Sequence, residues 1–467
     1  MAPRRFRLER HAGAKRALST LSAAHKVGDV MSTLLGLDIG SSSVIAGILR
    51  GPKVVAESPR AFFRSRLAAA KVEVDPDELL NAIRTAIAGL GTGVRQVDAI
   101  ALATMSPAWV AMDRQGRALT PIVTHQDRRS VELAHEIEAR MGKARHLKLC
   151  GNRPFPGGIS STTWAWFKQH EPARLKRADL VGHLNTFLHR QITGARVTDP
   201  SNASFTGLYD TMGLSGWSEE LCANLGVSVA LLPEVAEADV IGGTVTAEAA
   251  ARFGLRAGTP MMTGIMDGSA GMLLAGAQSG QLFNVVGSTD VLALCTHRPK
   301  PHERLLTRAL GVGGLWLQVS TIAAMASSIY WARDQFFTGM PLEEFRAEFR
   351  RLSRAGAAAL GGVVFEPYMA GERTSIEQRQ GAFRNVTLAT TRTHLLAAII
   401  EGLTQASAAR LPLLQATGTR LKRMVAVSGG SDRLDQLMHR DWQGKWKFRA
   451  VTDATMRGLG TMVMRER

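Results

Sequence analysis

No run of about 18 uninterrupted apolar residues occurs in this 467-residue chain, so no segment reads as a membrane-spanning helix. Cysteine is scarce: Cys150, Cys222 and Cys295 stand far apart in sequence. That spacing excludes a disulfide framework and a metal-ligand cluster, and it predicts reduced, buried thiols in a cytoplasmic protein. Only three tyrosines are present, and the cations are dispersed and rich in arginine. The interleaving of basic and aromatic side chains that stacks nucleic-acid bases is missing. The net charge of +17 therefore reads as a generally basic surface that suits nucleotides, with no nucleic-acid partner expected.

What is present suits a globular protein. Hydrophobic residues make up 45% of the chain and mean hydropathy is near zero, and this length predicts two or three domains. Residues 1–31 stand apart. They carry Arg4, Arg5, Arg7, Arg10, Lys15, Arg16 and Lys26 against Glu9 and Asp29, which is +5 and leaves +12 for the rest. They lack the apolar region of a secretory signal, and Met31 directly precedes the first convincing strand. The expectation is a disordered extension, or a start placed too early.

From Ser32 the pattern becomes α/β. Leu34–Gly40 and Val44–Leu49 read as two buried strands joined by a Gly/Ser turn. Residues 76–90 read as an amphipathic helix, 97–103 and 109–113 as strands, and 129–141, 161–169 and 178–194 as helices. Near Gln278 the theme returns: 281–286 and 291–295 read as strands around Gly287-Ser288-Thr289. Helices follow at 320–337, 341–355, 394–417 and 454–466, with a strand at 421–427. The expected domains are residues 32–277 and 278–467.

Five stretches carry candidate chemistry. In Asp38-Ile39-Gly40-Ser41-Ser42-Ser43, a glycine lets the backbone approach an anion, hydroxyls and free N–H groups hold phosphate oxygens, and a carboxylate is placed for hydrated Mg²⁺. A plain turn is the bland alternative. In Gly264-Ile265-Met266-Asp267-Gly268-Ser269, an aspartate between an apolar strand and a small-residue helix is placed to take a proton from an attacking hydroxyl; helix capping is the alternative. Gly371-Glu372-Arg373-Thr374 and Ser428-Gly429-Gly430-Ser431 offer loop and helix-start N–H groups. Gln126-Asp127-Arg128-Arg129 offers groups that hydrogen-bond sugar hydroxyls, or else an exposed ion pair of little value.

Taken in order, these motifs resemble the FGGY carbohydrate kinases from about Ser32 to the C-terminus. Asp38–Ser43 matches the family's first phosphate motif and Gly287-Ser288-Thr289 its second. Residues 121–130 resemble its substrate-side segment, and 198–204 another recurrent segment. Asp267 falls on its catalytic base, Gly371–Thr374 with Gly381–Phe383 on its C-terminal signature, and Ser428–Ser431 on its adenosine-side turn. The resemblance implies two actin-like (ribonuclease H-like) domains of mixed sheets flanked by helices, closing around ATP, Mg²⁺ and a sugar or polyol. It implies Asp267 as base and Asp38 at the metal. Gly40, Ser41, Ser42, Gly287, Ser288, Gly429 and Gly430 would hold the nucleotide, and Met105, Ser106, His125, Asp127 and Asp267 the sugar. A ketose is the expected substrate; a catalytically weak nucleotide- or sugar-binding module is the alternative. A homodimer is compatible with the resemblance.

The departures fall mainly on the sugar side. Ser41 and Ser288 stand where threonine is common. His125 replaces an aromatic, and Met105-Ser106-Pro107 stands where xylulokinases carry Met-His-Gly. His125 is read either as a sugar ligand or as a structural histidine.

Overall fold

The computed structural model describes residues 33–377, 379–430 and 433–462. The extension 1–31 and Ser431 of the glycine turn lie outside the described residues.

Apolar central strands buried on both faces, with exposed edge strands beside them, build two sheets of the same plan. In the first, Thr33–Ile39 pairs antiparallel with Ser43–Arg50, which pairs with Lys53–Glu57. On its other side Thr33–Ile39 runs parallel to Ala99–Thr104, which runs parallel to Pro260–Met262. In the second, Leu282–Val286 pairs antiparallel with Asp290–Thr296, and that strand with Trp316–Ile322. On its other side Leu282–Val286 runs parallel to Met424–Gly429, and that strand to Lys447–Ala450. When only these five strands of each sheet are numbered along the chain, both orders are 3-2-1-4-5; Ile241–Thr244 extends the first sheet and Leu306–Ala309 the second. A smaller antiparallel sheet, which includes Lys71–Val74, Ala108–Met112, Ile122–Thr124 and Leu180–His183, joins the first lobe.

Two expected helices are shorter at their starts. Leu180–His183 leaves the expected helix 178–194 to pair with Ala108–Met112, and the helix begins at Leu184. Ser320–Ile322 belongs to a strand, and that helix begins at Ala326. In both places ladder bonds to a distant strand outweigh local helix propensity. The helix near Pro76 begins there, with Asp75 accepting N–H bonds from Asp77 and Glu78.

The lobes are locked by crossed helices. Asp267–Gly276 leans on the second lobe, where a Cβ on Gly271 would strike the Phe283 ring. Ala454–Met462, from the far end of the chain, lies on the first sheet, with Met456 against Gly36 and Gly47. The two helices meet at Gly458, where any side chain would overlap the Ala270 carbonyl. One apolar cluster accordingly contains Leu34, Ala101, Ala270, Phe283, Met456 and Leu459.

Candidate active site

Sheet register brings the expected residues together. Ile39 pairs with Thr104, and Thr104 pairs with Met266. The ends of three parallel strands thus carry Asp38, Thr104-Met105 and Met266-Asp267 side by side, and Met105 N–H donates to the Ile39 carbonyl at 2.7 Å. Asp38 is half-buried and is raised to about 7. Burial is the largest cause and the negative charge of Asp267 the next; Arg60 offsets them in part, and Glu57 adds to the rise.

Asp267 is the first residue of its helix, and its Oδ1 accepts the Gly268 N–H at 2.6 Å. Met266 occupies the N-cap position and no side chain caps the helix, so Asp267 is not its cap. Burial raises this carboxyl above its ordinary range, while the Gly268 N–H and Arg308 pull it down. Arg308 arrives from the second lobe. Its strand, Leu306–Ala309, is fastened to the first lobe by Asn152, which donates to the Thr307 carbonyl at 2.7 Å and accepts its N–H at 2.8 Å. Ser204 Oγ accepts the Ala309 N–H at 3.0 Å. The buried guanidinium donates to Ser269 Oγ; burial lowers its pKa to about 10 against the opposing pull of Asp267 and Asp199.

Asp199 caps the turn 200–203 and accepts bonds from Ser201, Asn202 and Asn185. Burial nonetheless raises it to about 6. Ser201 Oγ in turn accepts the Met266 N–H at 3.1 Å, which props the strand end ahead of Asp267. Arg308, Asn152 and Asn185 lie in no motif, so sequence reasoning had no signal for them; Asp199 and Ser201 fell inside a recognised segment without a role.

On the expected sugar side, Met105 and Ser106 are buried. Ser106 Oγ lies 3.4 Å from His183 Nδ1, and His183 Nε2 lies 2.7 Å from Ser160 Oγ. Burial lowers His183 to about 3, so the imidazole is neutral. His125 is half-buried, and its Nδ1 is enclosed without a partner among the described residues. Asp127 faces inward: Oδ2 accepts the Val72 N–H at 2.8 Å, and both oxygens accept from Arg129. The ion pair considered as an exposed feature is buried, with the Arg129 side chain 3% exposed and a second bond to Glu73.

The turns of the second lobe also converge. Val286 is paired with Gly429, and Gly430 N–H donates to the Val286 carbonyl at 2.9 Å. Gly287 N–H donates to Thr289, and the Ser288 carbonyl accepts the Met325 N–H at 2.8 Å. In the first lobe Gly40 N–H closes its turn on the Ser43 carbonyl at 3.0 Å, leaving Ser41 and Ser42 exposed. Gly371–Thr374 lies in the loop between paired strands Val364–Glu366 and Ala382–Arg384. That loop reaches the first lobe, where Glu377 meets Arg153 at 3.4 Å.

Residues 33–274 match the N-terminal domain of the FGGY family of carbohydrate kinases, and residues 282–439 match its C-terminal domain. The chain belongs to that family. Its relatives include xylulose kinase of Klebsiella pneumoniae, 26% identical over 88% of this chain and 84% of that protein. Glycerol kinase of Thermus brockianus is 31% identical over 80% and 77% respectively. Among solved structures, xylulose kinase from Rhodospirillum rubrum superposes with a TM-score of 0.81 at 25% identity, covering 92% of this chain and 89% of that one. The fold is the two-lobed actin-like one, and the chemistry is ATP-dependent phosphorylation of a sugar or polyol hydroxyl. Among the described residues no helix is long and apolar enough to cross a membrane, and the three cysteines are buried and form no disulfide.

Among the described residues no cluster of three or more His, Cys, Asp or Glu could hold a metal. Mg²⁺ that arrives with nucleotide needs less, because one or two carboxylates and the phosphates suffice. Asp38 fits that role. No protein hydrogen bond reaches its carboxylate among the described residues, and Asp267 repels it; a divalent cation would relieve both deficits.

Proposed function

We propose that this FGGY kinase phosphorylates a ketose, with Asp267 as general base. The placement of Asp38 and Asp267 at the ends of the two strands that flank Ala99–Thr104 carries the reading. Asp267 accepts the proton of the attacking hydroxyl as its oxygen bonds to the γ-phosphorus and the bond from that phosphorus to the ADP oxygen breaks. A carboxyl shifted upward by burial is a better base than an ordinary one, since its proton affinity lies closer to neutral pH. Asp38 would hold Mg²⁺, which supplies neutralising charge for the phosphates when bound. Gly40, Ser41, Ser42, Gly287 and Ser288 would cradle the phosphates, with Gly429 and Gly430 at the adenosine. Met105, Ser106, His125 and Asp127 would shape the sugar side. The two sheets support domains at 32–277 and 278–467, with the last helix lying on the first sheet.

The test is coupled ADP release across pentuloses, heptuloses, glycerol and alditols, wild type against Asp267→Ala. The expected result is turnover on a ketose that falls about 10²–10⁴-fold in the variant. Unchanged turnover would sink the assigned base. Sugar binding by calorimetry with no phosphorylation of any substrate would make the chain a binding module instead.

A further inference from the structure

A concave site of about 980 Å³ lies at the end of the second sheet away from the glycine turns. Its walls are the end of strand Asp290–Thr296 with the residues after it, and the segment 417–424 that follows the long helix Arg392–Gln415. Strands Leu282–Val286 and Met424–Gly429 start here and end at Val286, just before Gly287, and at Gly429. At roughly 3.3 Å per residue, the site is roughly 15 Å from the proposed phosphate turns.

Its charge is one-sided. Arg298, Arg420, Lys422 and Arg423 line it, and no carboxylate does. Arg423 is turned over the Trp446 ring, 4.6 Å from its centroid. The side chains of Arg298, Arg420 and Lys422 meet no hydrogen-bond or ion-pair partner among the described residues. Many arginines elsewhere on the surface are paired: Arg351 meets Glu348 at 2.7 Å, Arg384 meets Glu366 at 2.5 Å, and Arg440 meets Glu401 at 2.7 Å. An Arg-rich composition therefore does not by itself account for this patch, in which like charges converge uncompensated.

The frame is built before any ligand arrives. Thr296 Oγ1 and Thr419 Oγ1 bond across the two walls at 2.9 Å. Lys422 N–H donates to the Gly280 carbonyl at 2.8 Å, and Gln281 Nε2 donates to the Met424 carbonyl at 3.1 Å. Cations presented from both walls suit a ligand that carries more than one anionic charge.

We infer that this cavity binds a small metabolite carrying two or more phosphate charges, at a site separate from the catalytic cleft. The inference does not depend on which residue is the base. Inorganic pyrophosphate is the probe, followed by isothermal titration calorimetry with the cleft filled by a non-hydrolysable ATP analogue and Mg²⁺. One pyrophosphate per chain is expected, at least tenfold tighter than inorganic phosphate. The Arg298→Ala/Arg420→Ala/Lys422→Ala variant is expected to lose at least tenfold in this affinity while its affinity for the analogue stays within twofold. Without the analogue the parent should take up one more equivalent than the variant. In phosphate-free buffer the variant should melt at or above the parent, since removing mutually repelling charges costs no partner. The single variant Arg298→Glu gives the same comparison with one residue changed. No binding beside the analogue, equal binding by parent and variants, or equal competition by sulfate would overturn the inference.

Discussion

The two lobes share a strand order and differ in what they place at the strand ends. In the first, the central strand carries Asp38 one residue before its end, and its parallel neighbour ends in Thr104. In the second, the matching positions are Val285 and Gly429. The first lobe therefore presents a carboxylate beside a second carboxylate, and the second presents backbone. The turns differ in the same sense. A Cβ on Gly40 would sit 3.6 Å from the Ser43 carbonyl oxygen, an ordinary contact. Gly429 has φ +84°, and a Cβ there would overlap the Val286 carbonyl oxygen. Duplicating a frame does not duplicate its constraints: one turn tolerates a side chain and the other excludes it.

Breaking the scaffold of the second lobe should have the largest effect on stability. Asp290, at the start of a central strand, is fully buried and bonded by Arg410 at 3.0 and 2.9 Å. Arg410→Ala leaves that carboxylate without its cation, and a loss of about 3–5 kcal/mol is expected by denaturant melting. The first lobe has no counterpart at Asp38, so Asp38→Asn should not destabilise in this way.

The turns supply the next contrast. Gly429→Ala forces a left-handed backbone on alanine and pushes against Val286; a loss of about 1–3 kcal/mol and weaker nucleotide binding are expected. Gly40→Ala should leave stability within about 1 kcal/mol, while KM for ATP rises if phosphate approaches that turn. Equal melting of the two variants would remove the distinction drawn between the lobes.

The smallest effect is a slope with pH. Because the folded protein holds the Asp38 proton to about 7, against 3.8 for an unperturbed carboxyl, it binds more protons than the unfolded chain between those values. Stability from this group therefore falls as pH rises through that window. In metal-free buffer Asp38→Asn should match the parent near pH 3 and exceed it above pH 7, by thermal melting. Added Mg²⁺ and nucleotide should narrow the gap if Asp38 meets the metal.

Much of this was legible in the sequence. The strand–turn–strand units around Gly40 and Ser288 and the helices near Pro76 and His394 follow from apolar periodicity and turn residues, which act over a few positions. The starts of the expected helices 178–194 and 320–337 were misread because their first residues satisfy ladders with Ala108–Met112 and Asp290–Thr296. Of the expected site, Asp38, Met105, Ser106 and Asp267 come together at neighbouring strand ends, while the carboxylate of Asp127 is turned inward to Arg129 and Val72.

By itself the sequence determined the family and singled out the candidate carboxylates and the glycine turns, because each rests on a short ordered string whose local geometry is dictated by its own residues. Tertiary structure alone decided what surrounds those carboxylates. Arg308 reaches Ser269 across 39 positions of sequence, and Arg410 reaches Asp290 across 120. Burial and charge at Asp38 and Asp267 are properties of that assembled space, and no spacing along the chain encodes the distance between side chains that only folding brings together.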